Sequence, residues 1–201
     1  MNILPGVILA AGAGSRFAGG NKLLLPWRDR PLICHALQAA LNSRLAPILL
    51  VVGYQGERLL AALESLRDDP KLEVLHNQRW CSGRASSVRL AIGALPTEAH
   101  GALFLLGDMP LMSSHLIDLV RENFLRSEAR ICFPVYQGHK GHPVAFSREL
   151  LGELARLRGD RSGWGLAQRY WSEALKIPLQ NGATQLDVDT EEDYRRLLEP
   201  Q

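Results

Sequence analysis

The chain has 201 residues, 46% of them hydrophobic, with 23 basic and 21 acidic side chains and a formal net charge of +2. That length and apolar content suit one α/β domain over residues 1–201 with a sizeable core. Balanced charge excludes a broad electrostatic footprint for nucleic acid, so any phosphate recognition must be local.

The amino-terminal "MNILPGVILAAGAG" has no Lys or Arg ahead of its apolar run, and Pro5-Gly6 interrupts it. It reads as a first strand over 6–10 and not as an export signal. A glycine-rich loop with Arg16 and Lys22 follows. Beyond it, short apolar runs at 47–53, 72–76, 102–107 and 130–135 alternate with amphipathic stretches at 31–43, 56–67, 85–95 and 114–125. This alternation is that of parallel βα units, and strands apolar on both faces imply helices on both sides of the sheet. Val88, Ala91, Ile92 and Leu95 share one helical face. The rhythm then changes. Residues 136–146, "YQGHKGHPVAF", have the glycine turns of a hairpin, and a helix at 147–156 leads into the glycine-rich "RGDRSGWG". A strand near 186–188 and a helix at 190–198, opened by the capping-box pair Thr190 and Asp193, complete the reading.

Cys34, Cys81 and Cys132 form no CxxC pair, so their spacing offers neither a disulfide framework nor a zinc knuckle, and a reducing, cytoplasmic compartment is expected. No apolar segment approaches the roughly 20 residues that span a bilayer, and no membrane partner is expected.

The first βα loop of an open α/β sheet is the usual phosphate cradle. Gly12, Gly14, Gly19 and Gly20 let backbone N–H groups converge on an anion, with Arg16 and Lys22 supplying charge. Two familiar cradles fail on single residues. A dinucleotide fingerprint needs a third glycine where Phe17 stands, and a P-loop needs Ser or Thr where Leu23 follows Lys22. A solvated glycine turn is the plain alternative. Asp108 ends the apolar run "ALFLLG", placing a carboxylate at the sheet's carboxyl edge, where Mg²⁺ on a nucleotide would lie. A helix cap is its plain alternative, but Ser113 and Ser114 stand nearer the next helix. Asp187 and Asp189, two apart, face one side of a strand or else simply acidify the entry of the last helix. His139 and His142 lack a nearby third nitrogen or sulfur ligand, which argues against zinc. Trp164 reads by default as a core residue, with stacking on a flat ring as its other use.

Six motifs in order, "LAAGAGSRF…NKLLLPW", "NQRWCSGRASSVRLAI", "GDMPL", "GHPVAF", "RGDRSG" and "DVDTEEDY", make the chain resemble the MobA-like nucleotidyltransferases, and within them the molybdenum cofactor cytidylyltransferase branch. The resemblance implies a Rossmann-like, mostly parallel sheet of the nucleotide-diphospho-sugar transferase type, with a β-hairpin insertion in the carboxyl-terminal half. It implies Mg²⁺-dependent transfer of CMP from CTP to the phosphate of molybdopterin, with release of pyrophosphate and with a molybdenum hydroxylase of the xanthine dehydrogenase type as client. Other members use GTP or a sugar phosphate, and a non-catalytic cofactor carrier is the reading of another class. By resemblance, Leu9, Ala10, Ala11, Gly12, Gly14, Ser15, Arg16, Lys22, Gly83, Ser87 and Asp108 contact the nucleotide. Arg16, Lys22 and Asp108 carry catalysis, Asp108 and Asp189 hold the metal, and His142, Pro143, Gly159, Asp160 and Asp187 meet the acceptor. The guanylyl branch tends to have "LAGG" where this chain has "LAAG", which favours CTP. Arg16 and Lys22 stand one residue further apart than is usual in the family.

Overall fold

A computed structural model describes residues 3–14, 17, 20–161 and 163–199. Its strands are β1 (Gly6–Ala10), β2 (Pro26–Trp27), β3 (Arg30–Pro31), β4 (Ile48–Val52), β5 (Leu72–His76), β6 (Gly101–Leu106), β7 (Ile131–Tyr136), β8 (His139–Lys140), β9 (Val144–Ser147) and β10 (Leu175–Pro178). The α-helices are α1 (Leu32–Leu41), α2 (Gly56–Ala62), α3 (Arg84–Ala94), α4 (Ser114–Arg126), α5 (Arg148–Ala155), α6 (Gly163–Arg169) and α7 (Glu191–Leu198).

Seven strands lie in the order β10-β7-β9-β6-β1-β4-β5, with β8 added on β7, while β2 and β3 form a separate short ribbon. The centre is parallel: β1 pairs with both β4 and β6, and β4 pairs with β5. Side-chain alternation divides the core in two. Ile8, Ile48, Leu50, Leu103 and Leu105 pack towards α1, α2 and α4, whereas Val7, Leu49, Val51, Ala102 and Phe104 pack towards α3, α5 and α6. Every residue of β4 is buried, so its unbroken apolar sequence is explained by cover on both faces. Each such side chain contributes roughly 1.5–3 kcal/mol through burial.

The hairpin reading of 136–146 is sharpened. β7 and β8 pair across Gln137 and Gly138, both at positive φ (50° and 80°), the backbone of a tight two-residue hairpin. β9 then inserts antiparallel between β6 and β7, with Val144 opposite Phe104. Because β9 runs backwards, the residues just before it lie at the carboxyl end of β6. That brings Lys140 and His142 to the edge where ligands bind in open α/β sheets.

Three sequence expectations need correction. Residues 186–188 form no strand. They are an extended strap whose Val188 N–H donates to the Asp108 carbonyl (3.0 Å), a loop partner that mimics strand patterning without a ladder. The outer strand is instead β10, parallel to β7, hidden in the sequence by its shortness and by Pro178. The glycine-rich stretch 158–165 gives way at residue 163 to α6, whose two glycines mask a helix held by burial of Leu166 and Ala167.

Candidate active site

β1 and its neighbour β6 end side by side, and the loops that leave them frame a cleft of about 410 Å³. The loop after β1 forms one wall with Leu9, Ala10, Ala11, Gly12, Ala13 and Gly14. Gly14 sits at φ +59°, a left-handed backbone that glycine takes without strain, and its open side faces the Lys22 stem.

Lys22 opens a short 3₁₀ turn fixed from behind by buried Asn21. The Asn21 side chain accepts the Leu23 N–H (3.1 Å) and donates to the Tyr54 carbonyl (3.3 Å). The longer loop therefore still delivers Lys22 to the cleft. Its Nζ lies 2.5 Å from Asp108 Oδ2 and 2.6 Å from Asp189 Oδ1. Burial alone would lower the pKa of Lys22, but the charges and hydrogen bonds of Asp108 and Asp189 outweigh it and hold the ammonium above its ordinary value.

Asp108 follows β6 directly and does not cap a helix, because Ser113 caps α4 by accepting the Leu116 N–H (3.2 Å). Its second oxygen, Oδ1, is shielded from solvent and has no hydrogen-bond partner among the described residues. Asp189 is set by the strap and by α7. Thr190 is the N-cap, Asp193 closes the expected capping box, and the Asp193 carboxylate also takes the Asp189 N–H (3.2 Å). The Asp189 side chain is thus released from capping and turns to Lys22. Asp187 lines the same cleft, and burial, then the neighbouring Asp108 and Asp189, raise its pKa.

Ser87 also lines the cleft, its hydroxyl accepting from buried Asn77 (2.9 Å), whereas the Ser86 hydroxyl donates back to the Gly83 carbonyl (2.8 Å). Gly83 is placed differently from the expectation. At φ +97° it packs against the Gly159–Asp160 backbone, so the close approach it permits is by this chain's own loop. The Gly159 carbonyl in turn accepts the Ala85 N–H (3.0 Å).

Of the residues expected to meet an acceptor, Asp160 and Asp187 line the first cleft, while His142 lines a second cavity beside it. Pro143 and Gly159 line neither. Burial, then the charge on Lys140, push the pKa of His142 down to about 3, a smaller opposing pull coming from the Phe104 carbonyl. It is therefore a neutral imidazole at pH 7. Its backbone is clamped by Gln185, which accepts the His142 N–H (2.7 Å) and donates to the His142 carbonyl (3.0 Å). His139 is exposed and takes no part with His142. Ser15 and Arg16 lie outside the described residues.

Sequence reasoning missed Arg84, which lines both cavities from the first turn of α3. Its place after "CSG" at a helix start was the available signal. It also missed Asn21, Asn77 and Gln185, whose roles depend on partners that only the fold brings near. Trp164 is no core residue: it is 40% exposed and walls the second cavity.

Among the described residues no three His, Cys, Asp or Glu side chains cluster as a metal site. Two carboxylates do converge, however, on one cation at the cleft floor, and one of their oxygens is unpartnered. Oxygen donors of this kind suit a hard divalent ion that takes its remaining ligands from phosphates and water.

The model of a MobA-like NTP transferase domain matches residues 6–174. The molybdenum cofactor cytidylyltransferase of Escherichia coli (strain K12) is 28% identical over 96% of this chain and 95% of that protein. The nicotine blue oxidoreductase of Paenarthrobacter nicotinovorans is 30% identical over 97% and 96%. Among solved structures, Rv0371c of Mycobacterium tuberculosis H37Rv superposes with a TM-score of 0.84 at 32% identity, covering 99% of this chain and 98% of that one. The same mycobacterial protein has also been solved as a complex with manganese.

Proposed function

The chain belongs to the MobA-like NTP transferase family, and on that premise we propose that it transfers CMP from CTP to the phosphate of the pterin in molybdenum cofactor, releasing pyrophosphate. The observation that carries this reading is the convergence of Asp108 and Asp189 on Lys22 at the foot of the glycine loop. An acceptor phosphate oxygen attacks the α-phosphorus in line, a P–O bond forms, and the bond to the β-phosphate breaks as pyrophosphate departs. The attacking oxygen is already ionised, so the protein needs no dedicated general base. Its work is positioning and charge.

Asp108, Asp160, Asp187 and Asp189 all line the cleft, against Lys22 and Arg84 among the described residues. A polyanionic triphosphate would be repelled by such a wall unless a divalent ion accompanied it. Asp108 and Asp189 would hold that ion, Mg²⁺ in this reading, and when bound it would neutralise phosphate charge as the leaving group departs. Lys22 is placed to stabilise the β- and γ-phosphates, its two carboxylates being the groups that would hold the ion, and Arg84 reaches the same space from the helix opposite. Arg16 belongs to the same cradle by motif.

The lean to CTP is supported by Ala11. This alanine lines the cleft and stands where the guanylyl branch tends to have glycine. The oxidoreductase relative raises a redox reading. Two carboxylates converging on one cation favour phosphoryl chemistry, because hydride transfer has no use for them. A carrier likewise needs no triphosphate cradle.

The test mixes protein, divalent metal and each NTP in turn with either pterin cofactor or a sugar phosphate and measures pyrophosphate. Release with CTP is expected. Release with GTP alone would reassign the base, release with a sugar phosphate alone would reassign the acceptor, and none with any combination would sink the enzyme reading.

A further inference from the structure

The second cavity, about 120 Å³, shares Leu9, Arg84 and Leu106 with the nucleotide cleft, so one molecule can occupy both. Its other walls are mostly apolar, including Phe104, Val144 and Phe146, and Trp164 stands at one side. Two polar groups interrupt this lining, Lys140 and His142.

Lys140 is the residue that the reaction described above leaves unused. Among the described residues no carboxylate lies within ion-pair distance of its ammonium. Its neighbours are the Gly141 carbonyl oxygen at 3.3 Å, His142 Nε2 at 3.5 Å and the Trp164 ring, whose centroid is 5.3 Å away. An ammonium held in apolar surroundings without a counter-charge is costly, and burial pulls the pKa of Lys140 down to about 8. Neutral His142 supplies no negative charge. The missing partner must therefore come with a ligand that brings oxygen acceptors. Apolar walls with an indole at one side admit a planar ring, and an ammonium set among them, with Arg84 shared with the first cleft, is placed to read the ring's edge.

We propose that Lys140 is the specificity-determining residue for the acceptor, its ammonium donating to a carbonyl oxygen on the edge of a fused heteroaromatic lactam ring lodged beside Trp164. The proposal rests on the nucleotidyl-transfer reading only for the identity of the molecule that carries the ring. An amino group in place of that carbonyl would set donor against donor, so the slot rejects the amino analogue.

The experiment uses two fluorescent bicyclic probes that differ at this edge, pterin with its carbonyl and 2,4-diaminopteridine with an amino group instead. Binding to the full chain, wild type and Lys140→Met, is followed by fluorescence polarisation without any nucleotide. Wild type is expected to prefer pterin by about tenfold, the size of one hydrogen bond to a charged donor. Lys140→Met should lose that preference, while Lys140→Arg retains part of it. Trp164→Ala should weaken both probes alike. Equal affinities in wild type, no binding of either probe, or an equal fall for both in Lys140→Met would overturn the proposal. The wild-type comparison stands even if a variant fails to fold. Failure of the nucleotidyl-transfer reading shows itself elsewhere, as absence of pyrophosphate, and ring discrimination that persists without it would leave the role of Lys140 intact.

Discussion

Two lysines, one in each of two adjoining cavities, show how one fold makes opposite uses of the same side chain. In the nucleotide cleft Lys22 is hemmed by two carboxylates and held charged. In the neighbouring cavity Lys140 has apolar walls, a neutral imidazole and an indole, and its charge is disfavoured. The first belongs to the parallel centre of the sheet and the second to its antiparallel margin. A cation that must trade partners with phosphates is best kept among carboxylates, which a metal can take over. A cation that must read a ring edge is best left without a counter-charge, so that the right ligand supplies it.

The contrast breaks most visibly at Lys22. Lys22→Met should lower pyrophosphate release about 10²–10³-fold, the scale for losing a donor to developing charge. The same substitution should tighten Mn²⁺ binding in the absence of nucleotide, read by electron paramagnetic resonance, because the competing ammonium is gone. Activity within a few-fold of wild type would remove Lys22 from the cradle. Asp108→Asn should cost about a hundredfold in turnover and weaken Mn²⁺ binding in the same assay, since it removes one of two carboxylates from the ion.

Smaller effects sharpen the comparison. Ala11→Gly should shift the CTP-to-GTP ratio of kcat/KM towards GTP by about tenfold, while leaving the ring preference of the second cavity alone. An unchanged ratio would mean that the base is read elsewhere. In the second cavity the signature is pH. Lys140 binds its proton less readily folded, at about 8 against an ordinary 10.5, so stability should rise as pH climbs through that window. His142 titrates at about 3 against an ordinary 6.5, so stability should fall as pH drops from 6.5 towards 3. Each slope approaches about 1.4 kcal/mol per pH unit. Urea midpoints across pH 5–10 measure both, and Lys140→Met should flatten the alkaline limb and, by removing a charge that depresses His142, soften the acid limb to a smaller extent.

The parallel centre was legible because its physics is local. Apolar runs of five or six residues, a glycine loop after the first and an aspartate ending the fourth suffice to predict β1, β4, β6, the cradle and Asp108. Asp189 was legible through its motif and the capping box that follows. The margin was not, since its order depends on distant partners. β10 finds its place only against β7, α6 only by burying Leu166 and Ala167, and His142 is clamped by Gln185 across 43 residues. The strap at 186–188 deceived because a loop carbonyl can impose strand-like alternation. Base choice and the hydroxylase client rest on resemblance, whereas Lys140 stood inside a quoted motif region and gave no signal until its surroundings were known.

The Val188 N–H joined to the Asp108 carbonyl has a consequence for biosynthesis and turnover. All eight strands of the main sheet are complete by Pro178, so a polypeptide interrupted between there and residue 186 retains that sheet yet lacks Asp189, along with the buried Val188 and Leu197 that cover Trp27 and Leu32. Such a truncated product would fold without acquiring its second carboxylate. On the proposed reading, competence is thereby deferred until the strap is in place, and a single proteolytic nick there would silence transfer while sparing the main sheet.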